Sequence, residues 1–210
     1  MTVLRIDATI QGTNSASARL ADIVTAELVA ARPDEQIVQR HLGENPLPAD
    51  AWSTAVGAGW TPAEQRTPEQ AAAIALALEV ADELRAADAV VLALPLYNWG
   101  VSQHVKTWID LVIAGGAPGD PILAGKPVVL ITTRGGGYGP GTPKEGWDHS
   151  IGYLRRIVGE VWGADLTVIE RELTLVGVNP AMDALAEPAE LMKKEAEAAA
   201  LAAGRALAAR

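Results

Sequence analysis

Residues 89–95 read Ala-Val-Val-Leu-Ala-Leu-Pro, and 95–102 continue Pro-Leu-Tyr-Asn-Trp-Gly-Val-Ser. An apolar run with no polar interruption, stopped by proline, describes a strand covered on both faces rather than one facing water on alternate residues. Such strands belong to parallel sheets, where crossover helices cover both sides. The aromatic and amide residues that follow Pro95 then lie at the carboxyl end of a buried strand.

Working outward, the same alternation recurs. Val3–Ala8 is a short β-like run, and residues 15–31 place Leu20, Ile23, Val24, Ala26 and Leu28 on one helical face. Gln36–His41 reads as a less apolar edge strand. Pro68–Ala87 is a helix with Thr67 as N-cap and Pro68 at its first position. Ser102–Ala114 is a helix capped by Ser102, and Val128–Thr133 is a second buried strand. Asp148–Trp162 is a helix, Leu166–Leu173 a strand, and Pro188–Ala209 an alanine-rich closing helix. Leu42–Arg66, with Pro46, Pro48, Pro62, Trp52 and Trp60, reads as a long irregular arm. Strict β-α alternation predicts an α/β fold, a parallel sheet with helices on both faces, within one domain spanning 1–210.

Composition bounds the partners. The 210 residues are 49% hydrophobic and 20% charged with a formal net charge of -9, a globular balance that disfavours nucleic acid and anionic membranes. The absence of cysteine excludes disulfides, thiolate nucleophiles and cysteine-ligated metal. The first residues lack the pattern of a signal peptide, and the run at 89–96 is too short to span a bilayer, so the expectation is a cytoplasmic protein. His41, His104 and His149 have no metal-ligand spacing, and no metal is expected. Gly119 to Lys126 fails as a P-loop because Pro127 replaces the required hydroxyl and a strand follows. Lys193-Lys194 among glutamates is a solvated helix face.

In such a sheet the ligand lies beyond the carboxyl ends of the strands, where strand order reverses. The first such loop, Thr9-Ile10-Gln11-Gly12-Thr13-Asn14-Ser15-Ala16-Ser17, has one glycine and four hydroxyls. That set suits a terminal phosphate at a helix N-terminus; a plain helix cap by Ser15 or Ser17 is the alternative, and the loop alone does not decide. Tyr97, Asn98 and Trp99 suit a flat heteroaromatic ring, with a surface turn in which Tyr97 and Trp99 pack locally as the alternative. Thr133-Arg134-Gly135-Gly136-Gly137-Tyr138 supplies backbone that a ligand can approach closely, with a flexible loop that holds no ligand as the alternative. With strand order 2-1-3-4-5, these three loops meet at one crevice.

At these residues the chain resembles the FMN-dependent NAD(P)H:quinone oxidoreductases and azoreductases of the flavodoxin-like superfamily. Pro95-Leu96-Tyr97-Asn98-Trp99 is close to that family's Pro-Met-Tyr-Asn-Phe, and Thr133-Arg134-Gly135-Gly136 matches its Ser-Arg-Gly-Gly. Thr9, Ser15 and Ser17 fall on its phosphate-loop serines. Ile10, Gln11 and Ser102 depart from it, and 114–126, without an aromatic, looks shorter than the family's acceptor loop.

The resemblance implies a flavodoxin-like three-layer sandwich with a five-stranded parallel sheet of order 2-1-3-4-5. It implies that Thr9, Ser15, Ala16 and Ser17 hold an FMN phosphate and that Pro95, Leu96, Tyr97, Asn98 and Trp99 run along the isoalloxazine. Thr133, Arg134, Gly135 and Gly136 would close the other side, with Arg134 or backbone amides near the N1–C2 edge. NADH or NADPH would donate hydride and a quinone, azo compound or similar small acceptor would receive it, by a ping-pong cycle. Tyr97 and Tyr138 are the candidate proton donors. Trp52, Trp60, Trp99 and Tyr138 are candidate substrate contacts, the first two from a homodimeric partner's arm. A free-flavin reductase, an electron carrier and a non-catalytic flavodoxin-like module are the alternatives.

Overall fold

Five parallel strands form one sheet in the computed structural model, which describes residues 1–117 and 119–210. The strands are β1 (Thr2–Asp7), β2 (Gln36–His41), β3 (Ala89–Ala93), β4 (Pro127–Thr133) and β5 (Asp165–Arg171), in the order β2-β1-β3-β4-β5. The anticipated topology is the one observed. Every residue of β3 is buried, as its uninterrupted apolar run requires. The register sets Val91 opposite Arg5 and Val129, so the centre of the sheet is sealed on both faces.

Helices α1 (Ala16–Ala31) and α6 (Ala186–Ala208) cover one face. On the other lie α2 (Ala51–Ala58), α3 (Pro68–Ala86), α4 (Gln103–Gly115) and α5 (Ile151–Arg155). Val3, Val91, Val129 and Ile131 point to the first layer, whereas Leu4, Leu92, Leu130 and Trp108 lie in the second. Small residues let the helices approach closely. A Cβ on Gly115 would sit 2.0 Å from the Ala77 carbonyl oxygen, and one on Gly204 would sit 2.6 Å from that of Val24.

The helix starts follow their sequence signals. Thr67 and Gln70 form a reciprocal capping box on α3, and Ser102 accepts the Val105 amide at 3.4 Å. Four expectations need correction. The arm 42–66 is not irregular throughout: Ala51, Ala55 and Ala58 recur at helical spacing and are buried, forming α2, and a short 3-10 turn follows at Ala63–Gln65. The small size of these alanines hides the pattern from hydrophobicity alone. The helix placed at 148–162 begins only at Ile151, because Asp148 caps it by accepting the Ser150 and Ile151 amides. Its second half widens to a π-type turn, with the Trp162 amide on the Ile157 carbonyl at 2.8 Å. Finally, β5 runs Asp165–Arg171, ending two residues early, and α6 starts at Ala186, two residues before Pro188. No helix among the described residues is long and apolar enough to cross a membrane.

Candidate flavin site

The loops after β1, β3 and β4 converge at the carboxyl end of the sheet. Thr9, Ser15, Ala16, Pro95, Leu96, Tyr97, Asn98, Thr133, Gly135, Gly136 and Tyr138, all anticipated from sequence, line one crevice there. Its volume is about 200 Å³, less than the roughly 300–1,000 Å³ of a complete small-molecule site.

One end of the crevice is built by the turn into α1. Ser15 caps the helix by accepting the Ala18 amide at 3.1 Å and lies 3.1 Å from the Ser17 hydroxyl, which is fully buried. The plain-cap reading of Ser15 thus describes one of its bonds. Capping leaves the amides of Ala16 and Ser17 without a protein acceptor among the described residues. Two free amides at a helix N-terminus, with the Thr9 and Ser15 hydroxyls beside them, are a donor set for a phosphate monoester. The donor chemistry present fits the phosphate of FMN.

Glycine holds this loop in place from behind. A Cβ on Gly43, in the turn after β2, would lie 1.9 Å from the Thr9 carbonyl oxygen, so the two backbones touch only because residue 43 has no side chain.

The β3 side of the crevice is a tight turn. The Tyr97 carbonyl accepts the Gly100 amide at 3.0 Å, while Asn98 and Trp99 have φ of +48° and +63°. Left-handed conformation at both central positions is the type I′ arrangement usually given to Asn-Gly. A tryptophan there is strained by roughly 1–3 kcal/mol. Surroundings hold it: the His149 amide donates to the Trp99 carbonyl at 2.9 Å, and the Trp99 and Trp147 rings meet edge to face at 6.2 Å. Tyr97 turns inward, its hydroxyl accepting the Ile10 amide at 3.2 Å and lying 3.4 Å from Thr9 Oγ1. The loops after β1 and β3 are thereby joined.

Arg134 behaves differently from its neighbours. Its side chain is buried and donates to Asp148 at 2.5 Å, Glu170 at 2.6 Å and Glu172 at 3.4 Å. Its amide donates to Arg171 and its carbonyl accepts from Thr174. The guanidinium is therefore committed to three carboxylates, Glu170 of β5, Glu172 just after it and Asp148 of the turn before α5, and does not line the crevice. Burial lowers the Arg134 pKa, but the bonds to Glu170 and Asp148 raise it above the ordinary value overall. Burial also opposes ionisation of Asp148, yet the Ile151 and Ser150 amides and Arg134 hold its carboxyl below the usual range. Glu172 in turn accepts the Tyr138 and Gly139 amides, at 2.8 and 3.3 Å. Arg134 thus organises the loop from behind. Burial, followed by the charge of Asp148, raises the Tyr138 phenol, keeping it protonated.

Sequence reasoning missed Lys144, Gln11, Thr174 and Leu175 as lining residues. Lys144 is the only charged group lining the crevice among the described residues, with its Nζ 5.6 Å from the Tyr138 ring centre. No motif marks it. Thr174 and Leu175 follow β5, which the strand order sets beside β4, and that adjacency was the available signal. Of the candidate substrate aromatics, Trp99 and Tyr138 are at or beside the crevice. Trp52 and Trp60 lie on the arm, and Trp60 is 90% exposed. No cluster of potential metal ligands exists among the described residues.

Comparison with known proteins agrees with this geometry. A family profile described as flavodoxin-like fold matches residues 1–198. A protein of Parafrankia sp. (strain EAN1pec) named FMN-dependent NADH:quinone oxidoreductase is 40% identical over 201 residues, 93% of this chain and 94% of that one. Its namesake from Frankia casuarinae is 41% identical over 203 residues, 94% and 96% of the two chains. Among solved structures, the azoreductase from Bacillus anthracis str. Sterne superposes with a TM-score of 0.76 at 23% identity, covering 98% of this chain and 99% of that one. An FMN-dependent NADH-azoreductase from Bacillus anthracis str. Ames Ancestor, solved in complex with FMN, gives 0.72 at 21% identity, covering 99% of each chain. The chain belongs to the flavodoxin-like-fold family, among the FMN-dependent NADH:quinone oxidoreductases that it matches at about 40% identity over nearly its whole length.

Proposed function

We propose that this chain is an FMN-dependent NAD(P)H oxidoreductase that passes two electrons to a quinone, azo compound or similar small acceptor. The observation that carries the reading is the crevice itself, with free helix-terminal amides at one end and the strained Asn98–Trp99 turn at the other. The names of the 40% identical relatives support FMN and NADH; NADPH is the open alternative donor.

FMN, if bound in the crevice, would supply two-electron transfer from the nicotinamide to the acceptor. The chain's own groups do the rest. The Ala16 and Ser17 amides with the Thr9 and Ser15 hydroxyls hold the phosphate. Pro95 to Trp99 orient the ring, with Asn98 addressing its polar edge. Gly135 and Gly136 bring backbone close to it. Lys144 takes the charge-balancing role that the committed Arg134 cannot fill. The protonated Tyr138 phenol is a proton source for the acceptor, and Tyr97 is the other. The small enclosed volume and the exposed Trp52 and Trp60 support a homodimer in which a partner's arm covers each site. The cytoplasm is the compartment this reading calls for.

The test is the absorption spectrum of the purified protein, then anaerobic titration with NADH and separately with NADPH. Flavin bands near about 375 and 450 nm that bleach with one equivalent of donor are expected, and the effective nucleotide is identified in the same titration. A protein that stays colourless after incubation with FMN overturns the proposal.

A further inference from the structure

Beside the flavin crevice the end of β5 opens onto a second hollow of about 600 Å³, lined by Gln11, Asn14, Arg19, Arg171 and the 174–178 loop. Gln11, Thr174 and Leu175 line both spaces, so the two are contiguous. The period of two along β5 places Arg171 on the same sheet face as buried Ile169, the face covered by α1 and α6. Arg19 lies in the first turns of α1, just beyond the phosphate loop.

The two arginines are unusual in this chain. Most of its other arginines are ion-paired, yet neither of these has a carboxylate within salt-bridge distance among the described residues. The Arg171 Nε is buried without a hydrogen-bond partner. Burial, and then the like charge of Arg19, pull the Arg171 pKa below its ordinary value; Glu197 and Glu190 of α6 oppose this only from a distance. An unpartnered buried donor beside a like charge is unfavourable. It occurs here although the chain has 26 acidic residues against 17 basic ones. An oxyanion between the two guanidinium forks removes both costs, since phosphate oxygens match their geometry.

We propose that Arg19 and Arg171 form a second oxyanion subsite of phosphate type, adjoining the flavin crevice and separate from the flavin's own phosphate loop. The placement rests on the flavin reading above. The anion it takes is a phosphate group carried by the dinucleotide donor or a free phosphate ion.

The experiment uses FMN-loaded protein, with inorganic pyrophosphate titrated calorimetrically in a low-salt, phosphate-free buffer. Wild type is expected to bind one pyrophosphate, and Arg171→Met and Arg19→Met to weaken that binding roughly 10- to 100-fold with flavin content unchanged. Arg19 is exposed, so its variant keeps the fold even if Arg171→Met does not. KM values for NADH and NADPH in the same variants identify the source. A rise in either assigns the site to the donor, and unchanged values with lost pyrophosphate binding assign it to a free anion; both support the subsite. Absence of binding to the FMN-loaded wild type, or binding that survives both substitutions, overturns it. So does binding confined to the flavin-free form of a protein that takes up FMN, which would give the pair to the flavin phosphate. Failure of the flavin reading is separate, because it appears in the absorption spectrum. A chain that takes up no FMN is titrated as it stands, and dependence of binding on Arg171 and Arg19 still decides the subsite.

Discussion

Replacing Arg134 with methionine conserves much of the buried volume while removing one cation that faces three carboxylates. Asp148 and Glu172 are 10% and 14% exposed, so little water is available to take over their neutralisation. Breaking a buried pair by deleting one partner costs about 3–5 kcal/mol. Glu170 is 36% exposed and keeps Arg155 as a second partner at 2.9 Å, which favours the lower end. A loss of about 3 kcal/mol, at roughly 2–4 °C per kcal/mol for a chain of this size, lowers Tm by roughly 6–12 °C. Thermal melts of flavin-free wild type and variant, by calorimetry or circular dichroism, read this directly. Flavin affinity falls as well, because Glu172 would hold the Tyr138 and Gly139 amides less firmly. Adding Asp148→Asn to the variant recovers part of the loss, since it removes one orphaned charge and retains an acceptor for the Ser150 and Ile151 amides. A Tm drop under roughly 3 °C, or a double variant no more stable than Arg134→Met alone, would refute the assignment of Arg134 as the organiser of this loop.

Three further outcomes follow from the same geometry. Lys144→Met lowers the two-electron potential of bound flavin and slows reduction by the nicotinamide, whereas Lys144→Arg retains most of both; an unchanged potential in Lys144→Met removes the charge-balancing role. Asp148 has a folded-state pKa held below its unfolded value, so its contribution is present above about pH 3.9 and lost as pH falls through the folded value. Denaturant melts below pH 4 should accordingly show a steeper acid loss for wild type than for Asp148→Asn, and parallel curves would contradict this. Gly43→Ala forces the 42–44 turn away from Thr9 at a cost of roughly 1–3 kcal/mol, read as a weaker Kd for FMN with near-normal secondary structure.

The sheet was legible because its central strands carry no polar residue from Val90 to Leu94, and because Thr67, Pro68 and Ser102 announce helix starts in chemistry that survives folding. The loops that meet at the crevice followed from topology, since ends of adjacent parallel strands must be neighbours. What escaped was set by long-range competition. Nothing in Thr133-Arg134-Gly135-Gly136 says that acids 14 to 38 residues further along will capture the guanidinium. Lys144 sits in a glycine- and proline-rich loop whose path depends on those same ion pairs. Helix α2 escaped because alanines at helical spacing give a weak apolar signal between prolines.

With Trp99 flanking the ring as proposed, its left-handed backbone sets stability and activity against each other. Glycine would adopt the same backbone without strain, so Trp99→Gly relieves the turn while deleting the ring beside the crevice. Screening variants for heat resistance would enrich that substitution, whereas screening for turnover would discard it. On the proposed function, position 99 is therefore a site where relief of backbone strain and retention of activity point to different residues, and libraries built for robustness should leave it fixed.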